Sequence, residues 1–258
     1  MRVCIYGAGA MGTSFGVLLQ KRSGIKIDFI TRNQSRVQLL NTCGATVVGV
    51  AEGERVYALL PSEMDGEYDF IFLATKQREN EKTAEFLSAH LKENGALITL
   101  QNGLPEPLLA EVLGEDRVYC GVLSWGAEIA EGGSANITSN AGYHVGLGAY
   151  GSGERLFDIE RLLTPAFEVT TGNLFELRFA KLATNASFST LSVLSGLPFG
   201  IIAKKYKKYA TKLIRETFNV ARAYGCKKLP LNGHDLFKVL TLFGGRLLPR
   251  AMKHYRET

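Results

Sequence analysis

The chain has 258 residues, of which 46% are hydrophobic and 21% charged, which is typical of a globular protein with a sizeable core. Its net charge is +5, no apolar run is long enough to cross a bilayer, and no signal-peptide pattern opens the chain. Four scattered cysteines form no Cys-x-x-Cys pair, and no His, Cys or carboxylate cluster has metal-ligand spacing. We therefore expect a cytoplasmic protein with reduced thiols and without a membrane span, a disulfide framework or a metal site.

The first twelve residues combine an apolar strand with a glycine-rich turn. Residues 3–6 predict a buried strand, residues 13–20 continue as an apolar helix, and Gly7, Gly9 and Gly12 form a Gly-x-Gly-x-x-Gly motif between them. The first glycine permits a tight turn, the second lets the backbone approach a pyrophosphate, and the third lets the helix pack on the strand. The pattern predicts a dinucleotide site at the helix N-terminus, with a turn that serves only the fold as the alternative.

The second predicted strand, residues 26–30, indicates which dinucleotide binds. An NAD-preferring protein usually places an Asp or Glu near this strand end, where it binds the ribose. Here Arg32 follows the strand with no acid beside it in the sequence, and Asp28 lies inside the strand. An arginine can pair with a 2′-phosphate, which a carboxylate would repel. The sequence therefore favours NADP over NAD, and a solvated loop cation is the alternative for Arg32.

Strand and helix patterns alternate up to about residue 170. The predicted strands are 3–6, 26–30, 70–74, 96–100 and 118–123, with edge strands at 143–147 and 168–170, and the predicted helices are 15–20, 35–41, 80–91 and 105–113. This alternation predicts an α/β fold, with a Rossmann-type, doubly wound parallel sheet over residues 1–172. From residue 175 onward long helical patterns follow, the first over 175–194, and residues 173–258 are predicted to form an all-helical second domain.

Polar residues follow two of the predicted parallel strands. Lys76 comes after strand 70–74, and Asn102, followed by Gly103, comes after strand 96–100. Open α/β sheets bind ligands at the carboxyl ends of their strands. Lys76 is therefore a candidate for a cofactor phosphate or ribose, and Asn102 for the nicotinamide ribose or the substrate. Ordinary turn residues are the alternative for each.

The second domain carries the catalytic candidate. Lys181, Asn185 and Ser189 recur every four residues in an otherwise apolar helical pattern, a spacing that places them on one face of an α-helix. A lysine can donate a proton to a carbonyl oxygen that receives hydride, and burial would lower its pKa and make it a better acid near neutral pH. The alternative is a solvent-facing stripe.

Positive charge is concentrated near the C-terminus. Residues 201–258 hold 14 Lys or Arg and 3 Asp or Glu, a balance of +11, whereas residues 1–200 carry −6. The densest run, residues 204–208, opens an amphipathic helical pattern, which favours a solvated helix face over a nucleic-acid site. Apolar positions further on suggest a possible homodimer contact and comprise Leu236, Leu240, Leu242 and Phe243.

Together these motifs resemble the ketopantoate reductase (2-dehydropantoate 2-reductase) family throughout the chain. The resemblance implies an NADPH-dependent reduction of a branched 2-oxo acid by a Rossmann domain and a helical domain. It implies that Lys181 is the general acid and that Asn102, Asn185 and Ser189 contact the substrate. It also implies cofactor contacts from the turn, the second strand and two strand ends, namely Gly7, Ala8, Gly9, Ala10, Met11, Gly12, Arg32, Lys76 and Asn102.

Two departures from the family pattern are visible. The family usually has a second Asn one helical turn beyond Asn185, where this chain has Ser189. A Ser that binds the substrate carboxylate and a Glu that orients the active site follow in a later helical segment, and this chain stops at Thr258, where that segment would begin. We therefore expect an incomplete or shortened helical domain.

The predicted function is reduction of 2-dehydropantoate to (R)-pantoate in pantothenate and coenzyme A biosynthesis. Two alternatives stay open. One is a reductase of another small 2-oxo acid, which the Ser189 departure motivates. The other is a non-catalytic NADP(H)-binding module that responds to redox state, which the missing carboxylate ligands motivate.

Overall fold

The computed structural model describes residues 1–138, 142–231 and 234–238. Its strands are β1 (Val3–Tyr6), β2 (Ile27–Ile30), β3 (Ala45–Val47), β4 (Ala51–Glu54), β5 (Tyr57–Leu59), β6 (Tyr68–Leu73), β7 (Leu91–Thr99), β8 (Val118–Leu123), β9 (Ala127–Ile129), β10 (Ala135–Ile137), β11 (His144–Ala149), β12 (Glu168–Thr171), β13 (Pro230–Leu231) and β14 (His234–Asp235). Its α-helices are α1 (Ala10–Ser23), α2 (Gln34–Cys43), α3 (Asn80–Ser88), α4 (Glu106–Leu113), α5 (Leu156–Leu163), α6 (Leu174–Thr184), α7 (Thr190–Ser195), α8 (Phe199–Lys205) and α9 (Lys207–Ala223). A π-helical turn, Asn185–Ser189, joins α6 to α7.

The main sheet has eight strands in the order β12-β11-β8-β7-β6-β1-β2-β5. From β8 to β5 all neighbours run parallel, whereas β11 pairs antiparallel with β8 and parallel with β12. Strand β1 lies between β2 and β6, so that Val3 is opposite Ile27 on one side and Phe70 on the other. The strand order therefore reverses next to β1, which is where open α/β sheets bind nucleotides.

Side chains of the central strands alternate between two buried layers. Ile5 and Phe72 belong to a core cluster with α1 and α5, whereas Cys4 and Ile71 belong to a second cluster with α3 and α4. Both faces of the sheet are covered, as parallel sheets require. The predicted Rossmann-type, doubly wound sheet is therefore confirmed.

A smaller sheet of four strands, in the order β4-β3-β10-β9, packs over α1. The sequence analysis did not predict these strands, because each has only three or four residues and their composition includes glycine and exposed glutamates. Residues on β3 and β10, Ala45, Val47 and Ala135, are fully buried and extend the core that covers α1.

The described residues separate into two compact units, one ending at Thr171 and the other starting at Gly172. Helix α6 opens the second unit, where the side chain of Asn173 accepts a hydrogen bond from the Glu176 amide as an N-cap. This unit is helical apart from the two-residue antiparallel pairing of β13 with β14, an addition to the predicted all-helical domain.

Within the described part of the chain, no single helix is long and apolar enough to cross a membrane. Leu174–Ser195 and Phe199–Lys205 pass that test only as a pair, by length and composition, and they meet at a bend of 94°.

Candidate functional site

The glycine turn has the geometry that its spacing predicts. Gly7 adopts φ +113°, and a Cβ placed on it would lie 2.8 Å from the Ala74 carbonyl carbon. A Cβ on Gly12 would lie 2.1 Å from the Gly7 carbonyl oxygen, so α1 packs against the turn without room for a side chain. A Cβ on Gly9 would meet nothing within 4 Å, because the space beside this backbone is open. Gly7 and Gly12 are thus required for close packing, and Gly9 leaves its backbone accessible from the open space.

The start of α1 is suited to an anion. Gly9 is the N-cap and the first turn, which begins with Ala10 and Met11, contains no acidic residue. Amides in the first turn of a helix have no acceptor within the helix, and the helix dipole favours negative charge there. The amides of Gly7 and Ala8, which precede the helix, already have a partner within the protein, because both donate to the Ile30 carbonyl at 2.9 Å. These contacts fix the turn to the end of β2.

Beside this turn lies an open cleft of about 630 Å³. Its lining comes from the ends of β1, β2 and β6 and comprises Tyr6, Gly7, Gly9, Ile30, Thr31, Arg32, Asn33, Pro61, Ala74, Thr75 and Lys76. Arg32 and Lys76, both predicted from the sequence as cofactor ligands, therefore lie on one cleft with Gly7 and Gly9. Asp28 is occupied elsewhere, since its Oδ2 accepts a hydrogen bond from the Tyr68 hydroxyl at 2.8 Å and lies 3.3 Å from Arg2 Nη2.

Arg32 is exposed and has an acidic partner that is distant in the sequence. Its Nη1 lies 2.5 Å from Oε2 of Glu79, and the two side chains are 74% and 55% exposed. Glu79 ends a 3₁₀ turn, Gln77–Glu79, that follows Lys76 directly. The sequence analysis missed this contact, because no local pattern links residues 47 positions apart.

Asn102 is held close to the loop that carries Lys76. Its carbonyl oxygen accepts a hydrogen bond from the Gln77 side-chain amide. Gly103 next to it adopts φ +82°, a conformation that side chains disfavour, and a Cβ there would lie 3.1 Å from the same Gln77 nitrogen. The two strand-end loops predicted from the sequence are therefore in direct contact.

A buried amide pair underlies both loops. The Gln101 side chain donates to Asn80 Oδ1 at 2.8 Å, and the Asn80 side chain donates back to Gln101 Oε1 at 3.0 Å. The Thr99 and Thr75 hydroxyls complete the network, at 3.2 Å and 3.3 Å from the Gln101 amide. Satisfied buried amides fix the backbone around them, so this network positions Asn102 on one loop and Glu79 on the other.

Arg36 is a further residue at this site that the sequence analysis missed. Its guanidinium donates to the Ala8 carbonyl at 3.4 Å and to the Thr13 hydroxyl at 3.1 Å, and it also donates to the carbonyl of Gly133. Arg36 thus ties α2 and the small sheet to the glycine turn. The available signal was a second arginine four residues after Arg32 in the sequence.

The polar residues of the second unit lie on α6 and the π turn. Lys181 lies in the last turn of α6, and Asn185 and Ser189 are the first and last residues of the π turn. All three side chains are half-buried. The predicted spacing assumed a continuous α-helix, and that assumption is wrong here, because a π turn bonds residues five apart. Asn185 and Ser189 are therefore separated by π-helical backbone instead of one α-helical turn.

Lys181 has the electrostatic property expected of a proton donor. Burial lowers the pKa of its ammonium group from the ordinary value of 10.5. Phe179 and Ala183, two positions before and after it in the sequence, are buried. The pKa direction predicted for Lys181 from the sequence is therefore the one that the structure gives.

Three smaller predictions concern the C-terminal region. Lys204, Lys205 and Lys208 are exposed, consistent with a solvated face. Leu236, one of the predicted dimer residues, is buried. The others, Leu240, Leu242 and Phe243, lie outside the described residues, as do the chain end at Thr258 and the segment before it.

Comparison with known proteins decides the family. Residues 3–150 match the family model of ketopantoate reductase PanE/ApbA, and residues 173–243 match the model of its C-terminal part. The chain belongs to the ketopantoate reductase family. Ketopantoate reductases are oxidoreductases that act on a CH–OH group, which is the enzyme class predicted from the sequence.

Individual relatives of this ketopantoate reductase family member are distant. The 2-dehydropantoate 2-reductase of Archaeoglobus fulgidus is 28% identical over 207 residues, covering 79% of this chain and 67% of that protein. The protein of the same name from Lactococcus lactis subsp. lactis is 27% identical over 144 residues, covering 53% of this chain. The chain thus spans 45% of the length of the Lactococcus relative.

Solved structures share the fold. The 2-dehydropantoate 2-reductase of Geobacter metallireducens GS-15 has a TM-score of 0.84 at 24% identity, covering 100% of this chain and 85% of that one. A D-mandelate dehydrogenase in complex with NADH and anilino(oxo)acetate has a TM-score of 0.78 at 21% identity, covering 99% and 79%. Identities this low establish the fold alone.

Proposed function

We propose that this chain reduces a 2-oxo acid to a 2-hydroxy acid with hydride from NADPH, and that 2-dehydropantoate, reduced to (R)-pantoate, is its substrate. The observation that carries the proposal is the family match, which includes both the glycine turn and the Lys181 helix. The two named relatives support the substrate, and the D-mandelate dehydrogenase keeps other 2-oxo acids in the test. The four cysteines are unpaired thiols, which supports a cytoplasmic protein.

The first unit fits a nicotinamide dinucleotide. The open space at Gly9 allows a pyrophosphate to approach the backbone, and the first turn of α1 attracts its charge. We assign Ala8, Ala10 and Met11 to this cradle with the three glycines. Arg32 binds the 2′-phosphate as a planar guanidinium, and Lys76 binds phosphate or ribose as a point charge.

The residues of the second unit carry the proton and hold the substrate. When bound, NADPH would supply the hydride for C2 of the 2-oxo acid. Lys181 donates a proton to the carbonyl oxygen as negative charge develops there, because burial lowers the pKa of its ammonium group and makes that group a stronger acid. Asn185 and Ser189 bind polar groups of the substrate by hydrogen bonds, and Asn102 contacts both cofactor and substrate.

The test is NADPH oxidation followed at 340 nm with 2-dehydropantoate and a panel of other 2-oxo acids that includes phenylglyoxylate, the 2-oxo acid of mandelate. We expect the highest kcat/KM with 2-dehydropantoate. A higher kcat/KM with another panel member would support the same reaction but identify that 2-oxo acid as the substrate. Binding of NADPH with no turnover across the panel would contradict the enzyme proposal and favour the non-catalytic module.

A further inference from the structure

The charge environment of Arg32 is the feature that the proposed function does not account for. An arginine that serves only a 2′-phosphate needs no acidic partner within the protein. Instead, Glu79 Oε2 lies 2.5 Å from Arg32 Nη1 at the cleft. Lys76, which lines the same cleft, is three residues before Glu79.

Glu79 is placed there by its own loop. It ends the short 3₁₀ turn with φ −130° and ψ 34° and is the N-cap of α3. The next residue, Asn80, is 4% exposed and is locked by the reciprocal amide pair with Gln101. Because Asn80 is fixed, the backbone of Glu79 has little freedom, and its side chain is directed to the Arg32 side of the loop.

Tyr6 provides a second sign that both charges act at this cleft. Tyr6 lines the cleft beside Arg32. Burial raises the pKa of Tyr6, the Arg32 charge opposes that rise, and the Glu79 charge adds to it. Arg32 therefore lines the cleft near the end of β1, and Glu79 lies next to it through the ion pair.

We propose that Glu79 sets the cofactor preference of this protein by competing with the 2′-phosphate of NADPH for Arg32 and by accepting a hydrogen bond from the ribose 2′-hydroxyl of NADH. The inference rests on the proposed function, in which Arg32 binds the 2′-phosphate. The ribose-binding acid that the sequence lacks after β2 is supplied in space from the loop between β6 and α3.

The competition follows from shared chemistry. A carboxylate and a phosphate use the same N–H groups of a guanidinium, so NADPH must displace or share Glu79 on Arg32. A phosphate at this position also carries up to about two negative charges beside the carboxylate and is repelled by it. NADH has no such phosphate, and acids in dinucleotide sites bind its ribose hydroxyls. Glu79 therefore narrows the preference for NADPH over NADH.

The experiment measures the dissociation constants of NADPH and NADH by nicotinamide fluorescence for the wild type and three variants. In Glu79→Gln we expect the affinity ratio of NADPH to NADH to rise by about two- to tenfold, the range of an exposed ion pair plus a removed repulsion. The effect should shrink at high salt, because exposed charges are screened. The isosteric substitution at an exposed position preserves the fold.

Two variants serve as controls. Glu81→Gln removes the same charge from an exposed residue in the first turn of α3, two positions after Glu79. It should leave the NADPH-to-NADH affinity ratio unchanged. Arg32→Ala should lower the ratio about tenfold or more, because a charge-assisted contact to the phosphate is lost.

The outcomes separate the inference from the proposed function. An unchanged ratio in Glu79→Gln, or an equal rise in Glu81→Gln, would overturn the inference while a lowered ratio in Arg32→Ala keeps Arg32 as the phosphate ligand. An unchanged ratio in Arg32→Ala would overturn both the assignment of Arg32 and the competition for it.

Discussion

The two candidate regions of this molecule are built on different physical principles. At the carboxyl edge of the sheet, backbone sterics and buried amide pairs determine the geometry, as at Gly12 and at Asn80 with Gln101. In the second unit, half-buried side chains project from one helical run whose hydrogen-bond pattern changes at the π turn. The first region is suited to binding one ligand shape, and the second to presenting a proton donor and polar groups. Substitutions in the first should therefore change affinity, and substitutions in the second should change turnover.

The largest expected effect is on turnover. Lys181→Ala should lower kcat by about 10²–10⁴-fold, the usual contribution of a positioned acid, and should leave NADPH affinity unchanged. Steady-state kinetics and a binding titration on the same preparation measure both quantities.

Lys208→Ala, which removes an exposed lysine of the same unit, is the matched control and should retain full activity. Equal kcat values for wild type and Lys181→Ala would show that Lys181 is not the proton donor.

Substitution of two glycines in the turn should separate affinity from stability. Gly9→Ala should weaken NADPH binding about tenfold or more with an unchanged Tm, because its Cβ enters only the open space of the approach. Gly12→Ala should lower the free energy of unfolding by about 2–3 kcal/mol, because its Cβ would overlap the Gly7 carbonyl. Thermal melts and NADPH titrations check the pair, and an equal loss of Tm in both variants would contradict this division.

A smaller effect is expected at the end of the π turn. Ser189→Ala should lower kcat/KM for the 2-oxo acid by about three- to tenfold, the cost of one neutral hydrogen bond. Thr190→Ala removes the neighbouring exposed hydroxyl and should change nothing. If the two variants behave alike, Ser189 does not contact the substrate.

The smallest effect is a shift along the pH axis. A general acid must be protonated, so kcat/KM should fall as pH rises through the pKa of Lys181. Because burial lowers that pKa, the fall should occur below 10.5. A pH profile from 6 to 10.5 tests this, and the same limb should be absent from the residual activity of Lys181→Ala. A limb that persists in the variant would belong to another group.

Several features of both regions were accessible from the sequence because their causes are local. The bounds of β1 and β8 are those of the predicted strands, since each is a continuous apolar run. The roles of Gly7 and Gly12 follow from steric rules that act over a few residues. In the second unit, a helical pattern was predicted from residue 175, and α6 starts at Leu174 after the Asn173 cap.

The rest depends on contacts or hydrogen-bond patterns that no local motif encodes. Arg32 follows β2 and Glu79 follows β6, and the two residues come together only because these strands pair with opposite edges of β1. The π turn changes the register between Asn185 and Ser189, although their spacing in the sequence fits an α-helix. The strands of the small sheet are too short to show a period, and they become strands by pairing and by packing on α1.

One measurement tests the central claim, direct hydride transfer from a bound nicotinamide to a 2-oxo acid. NADPH carrying two deuterium atoms at C4 of the nicotinamide is incubated with the protein and 2-dehydropantoate, and the product is analysed by mass spectrometry. The account predicts pantoate with one deuterium at C2. Pantoate without deuterium, or oxidation of NADPH without pantoate, would contradict it.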